Sequence, residues 1–131
     1  DRLQQLYQRY GYYAEMTHAG DYPGKEGAEQ IVRIMRALRG ETPEQIGGLR
    51  VLAARDYLKG EETSQGQTRK LPFPPSDVLY FQLEKRAWLC ARPSGTEPKI
   101  KFYAGATPKA SMERAQQATA DLLKAFIGLA D

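Results

Sequence analysis

Three apolar segments that follow one another closely constrain the possible folds most strongly. They are VLYFQLE at residues 78–84, AWLCA at 87–91 and KIKFYAG at 99–105. Each has the length and composition of a β-strand, and only Lys85 and Arg86 separate the first two, which predicts a tight hairpin. Because so short a link cannot hold a helical crossover, we expect these strands to pair as antiparallel neighbours.

Apolar residues recur at helical spacing on both sides of these strands. Residues 25–39 predict one helix, followed by Gly40, with an inward stripe of Ala28, Ile31, Ile34, Met35 and Leu38. A final helix is predicted to open at Thr107 and Pro108 and to end at Gly128, with Met112, Ala115, Thr119, Leu122, Leu123, Phe126 and Ile127 inward. The alternating segment LRVLAARD, Leu49–Asp56, predicts a further strand.

The remaining segments carry weaker signals. The spacing of Leu3, Leu6, Tyr7 and Tyr10 predicts a helix that stops at Gly11. YYAEMT, 12–17, predicts a short strand or an extended arm, and HAGDYPG, 18–24, predicts a loop. TPEQIGG, 42–48, predicts a single helical turn capped by Thr42, and the polar, proline-ended segment 58–77 predicts a long, mobile loop.

This order of elements favours an α+β fold, with a small antiparallel sheet and helices packed on one face. The chain has 131 residues, the size of one ordinary domain. Residues 1–22 differ in pattern from the rest, and we interpret them as an arm left from a preceding domain. Residues 23–131 then form the domain proper.

The composition excludes several kinds of site. A single cysteine, Cys90, cannot form an intrachain disulfide, and in an apolar run it is expected to be a buried, inert thiol. A single histidine, His18, excludes a multi-histidine zinc site, and no metal-ligand spacing of acidic residues is present. No apolar run has the length of a membrane span, so the expected compartment is the reducing cytoplasm, without a membrane partner.

The segment RPSGTEPKIKFY, 92–103, carries the chemistry. Arg92 stands at the end of a strand, and its planar guanidinium matches the paired oxygens of a phosphate. Ser94 and Thr96 supply hydroxyl donors on either side of Gly95, and a glycine with positive φ would let backbone N–H groups converge on an anion. These residues predict a pocket for a phosphate or a carboxylate.

The strand that follows this loop adds two cations. Lys99 and Lys101 stand two residues apart, so their side chains leave the same face of the strand. Glu97 would repel an anion unless it faces away or pairs with Lys99 or Arg92. The alternative is that Pro-Ser-Gly forms only a connecting turn.

At this point the sequence resembles a known family. RPSGTEPKIKFY is similar to the phosphate-binding loop of the C-terminal domain in the α-D-phosphohexomutases, the phosphoglucomutase and phosphomannomutase superfamily, and to its phosphoglucomutase-type branch in particular. LYQRYGYYAE, GKEGAEQIVRIMRALR and LPFPPSDVLYFQLE are similar to the segments that precede that loop. The resemblance implies a TATA-binding-protein-like fold.

The resemblance also implies roles for individual residues. Arg92, Ser94, Gly95 and Thr96 would hold the non-reacting phosphate of the substrate, assisted by Lys101. The expected ligands are hexose phosphates, namely glucose 1-phosphate, glucose 6-phosphate and mannose phosphates, and the expected partners are the preceding domains of the same chain.

The family's other motifs have no counterpart in this sequence. The phosphoserine loop, the Asp-Gly-Asp magnesium loop and the sugar-recognition loop are missing, and GEETSQG at 60–66 is only a superficial echo of the last. The resemblance therefore implies no catalytic residue, no metal ligand and no cofactor within this chain. It implies magnesium in the parent enzyme, bound by another domain, and a fragment that is catalytically inactive by itself.

Two other classes of function stay open. One is a free-standing regulatory module that binds phosphate or another anion. The other is a nucleic-acid-binding domain, for which Arg92, Lys99, Lys101 and Tyr103 would supply cations and an aromatic ring. The net charge of only +3 and the small size of this basic set argue against nucleic acid.

Overall fold

A computed structural model describes residues 11–40 and 42–130. The helices are α1 (Gly24–Gly40) and α2 (Met112–Ala130). The strands are β1 (Glu15–Asp21), β2 (Gln45–Ile46), β3 (Leu49–Asp56), β4 (Glu61–Ser64), β5 (Gln67–Lys70), β6 (Leu79–Leu83), β7 (Trp88–Pro93) and β8 (Lys99–Gly105). A short 3₁₀ turn, Glu84–Arg86, links β6 to β7.

The strands form one antiparallel sheet in the order β1-β8-β7-β6-β3-β4-β5, and β2 pairs with β3 away from this path. Alternate residues along the central strands are buried, as expected when one face of a sheet is covered. Both helices contribute their apolar stripes to the same core. Phe126 of α2 packs edge-on against Phe81 and Phe102, with ring centroids 5.7 Å apart in each pair.

The helices therefore cover one face of the sheet and leave the other face open. The predicted α+β fold and the strands at Leu49–Asp56, 78–84, 87–91 and 99–105 are confirmed. The tight hairpin is confirmed as well, and Lys85 and Arg86 both take positive φ angles there, 57° and 67°. This part of the fold could be predicted because its strands have strong local patterns and the links between them are short.

The predicted loop at 18–24 is wrong, because most of it belongs to β1, which lies beside β8 at the edge of the sheet. Its partner is the last strand of the chain, so nothing local in the sequence specifies the pairing. The boundary near residue 22 stays a prediction, and the predicted helix over residues 3–10 lies outside the described residues.

The long, mobile loop predicted at 58–77 is also wrong in its first half, which forms the β4–β5 hairpin. Its two-residue turn is Gln65-Gly66, with φ angles of 53° and 77°. Positive φ at both turn positions is the geometry that matches the twist of paired strands. The predicted helical turn at 42–48 is wrong too, because Gln45–Ile46 pairs with β3.

The predicted helices need smaller corrections. In α1, Ala28 is exposed and Gly27 is buried in its place. The second helix begins at Met112 rather than at Thr107, and Ser111 Oγ accepts a hydrogen bond from the Arg114 N–H at 3.2 Å. A serine whose hydroxyl accepts this bond is a typical N-cap. The helix also continues through Gly128 to Ala130.

Candidate anion-binding site

The loop between β7 and β8, together with the adjoining ends of both strands, surrounds a pocket of about 400 Å³. It is lined by Arg92, Pro93, Ser94, Gly95, Thr96, Glu97, Lys99, Lys101 and Tyr103. All five residues predicted to bind phosphate are therefore brought together. A larger hollow of about 550 Å³ lies between β3 and the β4–β5 turn, but there Arg50 is accompanied by Glu44, so that hollow carries no excess positive charge.

Arg92 and Lys101 are direct cross-strand partners on the open face of the sheet. Side chains at such positions are only about 5 Å apart at their Cβ atoms, and like charges placed there repel each other. Within the described ranges, neither side chain forms a hydrogen bond or an ion pair. An anion held between these two cations would relieve their repulsion, which makes this pair the electrostatic centre of the pocket.

Lys99 differs from Lys101 although both lie on the same strand. Its Nζ is 3.5 Å from Glu97 Oε2 and 3.8 Å from Asp21 Oδ1. Two carboxylates thus neutralise Lys99, which leaves Lys101 as the free lysine of the pocket. Of the alternatives left open for Glu97 by the sequence, the structure shows the ion pair with Lys99 and not one with Arg92.

The loop backbone departs from the predicted anion nest. Gly95 does not take a positive φ angle. Ser94 Oγ accepts hydrogen bonds from the N–H groups of Thr96, at 3.4 Å, and Glu97, at 3.2 Å. These two N–H groups already donate within the loop, so they are not directed at an anion. The Ser94 hydroxyl can still donate its own proton to a ligand.

The base of the loop is fixed by backbone contacts that sequence reasoning missed. The Ser94 N–H donates to the Lys99 carbonyl at 2.9 Å, and the Tyr22 N–H donates to the Pro98 carbonyl at 2.7 Å. A Cβ at Gly27 would overlap the Tyr22 carbonyl, so only glycine lets α1 approach this closely. Tyr22 thereby joins the first turn of α1 to the loop between β7 and β8.

Cys90 and Tyr103 form the next cross-strand pair on the open face, beside Arg92 and Lys101. Burial raises the pKa of the Cys90 thiol to about 11, although the nearby Arg92 opposes this shift. A thiol with a raised pKa carries little thiolate at neutral pH, as expected for an inert cysteine. The side chain is half-buried rather than fully buried as the sequence predicted.

Nowhere in 11–40 or 42–130 do three or more histidine, cysteine, aspartate or glutamate side chains converge as metal ligands would. Neither helix in these ranges combines the length and the apolar character needed to cross a membrane.

The described residues form an α+β domain with an open sheet face, helices on the opposite face and a pocket that contains two unpaired cations. Residues 25–122 match the family model "Phosphoglucomutase/phosphomannomutase, C-terminal domain". The chain belongs to this family of C-terminal domains.

Individual relatives agree with this assignment. Over 105 residues, or 79% of this chain, it is 37% identical to a phosphoglucomutase of Staphylococcus saprophyticus and 36% identical to one of Staphylococcus aureus. The aligned part is 19% of each of those proteins, so the chain spans about a fifth of their length.

A solved structure shows the same fold at low sequence identity. It is the open form of pp63/parafusin, a phosphoglucomutase from Paramecium. The match covers 98% of this chain and 22% of that one, with 14% identity and a TM-score of 0.56. At this identity the match supports the arrangement of helices and strands alone.

Proposed function

We propose that this chain holds the non-reacting phosphate of a hexose phosphate in a phosphoglucomutase-type isomerase. The observation that carries the proposal is the pair of cations, Arg92 and Lys101, that face each other without a partner in the described structure. Every other charged residue of the pocket, Glu97 and Lys99, is already paired. A bound phosphate dianion would complete the charge balance of the site.

The proposed contacts follow from the donors present. Arg92 would bind two phosphate oxygens with its guanidinium fork, and Lys101 would bind as a point charge. The hydroxyls of Ser94 and Thr96 would donate to the remaining oxygens, and Gly95 has no side chain to obstruct them. None of these groups distinguishes one sugar from another, so recognition at this loop is directed to the phosphate.

A grip of this kind suits an intramolecular phosphoryl transfer. In the proposed parent enzyme, a phosphoserine on another domain transfers its phosphoryl group to a free hydroxyl of the hexose phosphate, and the serine oxygen is the leaving group. The resulting bisphosphate reverses its orientation, and its other phosphate returns to the serine. In both phosphoryl transfers, the phosphate that is not reacting must be held in place. Binding energy at that distant phosphate helps to position the reacting group.

The proposal assigns no chemical step to this chain. The described residues contain no metal-ligand cluster, and Cys90 is protonated at neutral pH. In the proposed parent enzyme, magnesium would be bound by another domain. By itself, the chain is expected to bind hexose phosphates and to leave them unchanged.

The test is an NMR titration of the 131-residue chain with glucose 1-phosphate, glucose 6-phosphate and glucose. We expect both phosphates to shift the amide signals of Ser94, Gly95 and Thr96, because the loop recognises the phosphate in either position. Glucose without phosphate should shift none of them. If neither phosphate moves these signals at millimolar concentration, the loop is only a connecting turn and the proposed function is wrong.

A further inference from the structure

The anion pocket extends along β8 beyond its two cations. Tyr103 lies two residues after Lys101, so both side chains leave the open face of the sheet, and Tyr103 lines the same pocket. Its side chain is half-buried, and its hydroxyl forms no hydrogen bond to the rest of the described structure. An aromatic ring with a free hydroxyl therefore borders the charged end of the pocket.

The neighbours of Tyr103 on either side are small. Its cross-strand partners are Cys90 on β7 and Thr17 on β1, and Ala19 is the partner of Lys101. Among the described residues, the short side chains on both flanks leave room beside the Tyr103 ring. A group attached to a phosphate at Arg92 and Lys101 can therefore extend along β8 and contact the tyrosine.

This strip along β8 has a definite end. Two residues beyond Tyr103, Gly105 lies beneath the hydrogen bond that Trp88 Nε1 donates to the Tyr13 hydroxyl. A Cβ at Gly105 would overlap both side chains, so the Tyr13–Trp88 pair forms a wall across the strip. The strip is thus bounded by two cations at one end and by this wall at the other.

We propose that Tyr103 packs against the sugar ring of the bound ester and gives the pocket a preference for hexose phosphates over inorganic phosphate. Two residues of an antiparallel strand span about 7 Å, which suits a phosphate at Lys101 and a six-membered ring at Tyr103. The apolar face of a pyranose ring can pack on an aromatic face. This inference rests on the proposed function, since it requires a phosphate at Arg92 and Lys101.

The experiment compares inorganic phosphate with glucose 6-phosphate, using NMR titrations of the 131-residue chain at fixed ionic strength. The wild-type protein should bind glucose 6-phosphate about twofold to tenfold more tightly than inorganic phosphate. Y103L should lose this preference and bind inorganic phosphate as before, whereas Y103F should keep it because the ring remains. Ring-current shifts of the sugar protons should appear with the wild type and Y103F and disappear with Y103L.

Y80L is the matched control. Tyr80 lies on the same open face, stacked on Trp88 with centroids 6.0 Å apart, but it does not line the pocket. Its replacement should leave the preference for glucose 6-phosphate unchanged. A Y103L protein that still prefers the sugar ester, or a wild type that binds both ligands equally, overturns the role of Tyr103 alone. A wild type that binds neither ligand overturns the proposed function together with this inference.

Discussion

The β4–β5 hairpin and the loop between β7 and β8 are both polar, charge-rich turns at the surface, but their charges are arranged in opposite ways. In the hairpin, Glu62 lies between two arginines, with Oε2 2.5 Å from Arg55 Nε and Oε1 2.6 Å from Arg69 Nε. On the strands that flank the loop, Arg92 and Lys101 face each other, and neither pairs with a carboxylate of the described residues.

This difference separates charges that are paired within the protein from charges that are available, in the proposed function, to bind a ligand. Natural structures usually pair charges that lie close together, so two neighbouring cations left unpaired cost stability. The ion pairs of the hairpin stabilise the fold, whereas the repulsion between Arg92 and Lys101 beside the loop destabilises it. We therefore expect substitutions in the hairpin to change unfolding and substitutions in the loop to change binding.

The largest expected effect is on phosphate binding by R92A. A hydrogen bond to a charged group contributes roughly 1.5–3 kcal/mol, so the dissociation constant for glucose 6-phosphate should rise about tenfold to a hundredfold. The unfolding midpoint should stay close to that of the wild type. R33A is the matched control, because Arg33 is an exposed arginine on α1, away from the pocket, and its loss should not change the affinity. If R92A binds glucose 6-phosphate as tightly as the wild type, Arg92 does not bind the phosphate, and the proposed contrast between the loop and the hairpin is wrong.

A smaller effect is expected for K101Q. Removal of one point charge should weaken binding of glucose 6-phosphate about fivefold to tenfold, because Arg92 remains. K101R should retain most of the affinity, since it keeps the charge at the same position of β8. The effect should diminish as salt is added, because the site is open to solvent. If K101Q and the wild type bind glucose 6-phosphate with equal affinity at low salt, Lys101 does not contribute to phosphate binding.

The hairpin supplies the complementary test. E62Q should lower the free energy of unfolding by about 1 kcal/mol, since Glu62 is buried but Arg55 is partly exposed and Arg69 is exposed. Hydrogen bonds from Arg69 and Arg55 lower the pKa of Glu62 below its ordinary value of 4.5. A lowered pKa stabilises the fold above the unfolded-state value, and this contribution is lost as the pH falls through the folded-state value.

The difference between E62Q and wild type should accordingly be full at pH 7 and should shrink below about pH 4.5, as measured by denaturant unfolding. Phosphate affinity should be the same in both proteins. A loss of affinity in E62Q would show that the two regions are not independent.

The smallest expected effect is an increase in phosphate affinity in E97Q. E97Q removes a carboxylate from the pocket and weakens the hold on Lys99, whose remaining partner is Asp21 at 3.8 Å. Binding of glucose 6-phosphate should become about twofold to threefold tighter at low salt. The matched variant E61Q alters an exposed carboxylate of the hairpin and should leave the affinity unchanged. Weaker binding by E97Q would mean that the Glu97–Lys99 pair supports the loop more than it repels the ligand.

The sequence predicted the parts of the molecule that depend on local patterns. The strands β6, β7 and β8 carry dense apolar alternation, and the five residues around one pocket lie on the loop between the last two strands and on the adjoining ends of both. Their proximity follows from antiparallel pairing, since Arg92 and Lys101 flank one short loop. Their role in binding phosphate stays a prediction.

The missed parts depend on distant contacts or on backbone geometry. β1 pairs with a strand at the other end of the chain, and Asp21 reaches Lys99 only through that pairing. The β4–β5 hairpin was mistaken for a mobile loop because its turn places Gln65, a residue that seldom takes positive φ, where Asn or Gly is usual. Gly95 was expected to take positive φ and does not, since Ser94 Oγ already accepts the neighbouring N–H groups.

The pairing of β1 with β8 has a consequence for the time at which the site forms during synthesis. A ribosome releases β1 early and β8 late, and contacts between such distant segments form slowly because a long loop must close. The hydrogen bond from Tyr22 to Pro98 and the ion pair of Asp21 with Lys99 cannot exist before then. A nascent chain that has completed α1 and β3 therefore still lacks the pocket between β7 and β8, which is complete only when nearly the whole domain has emerged.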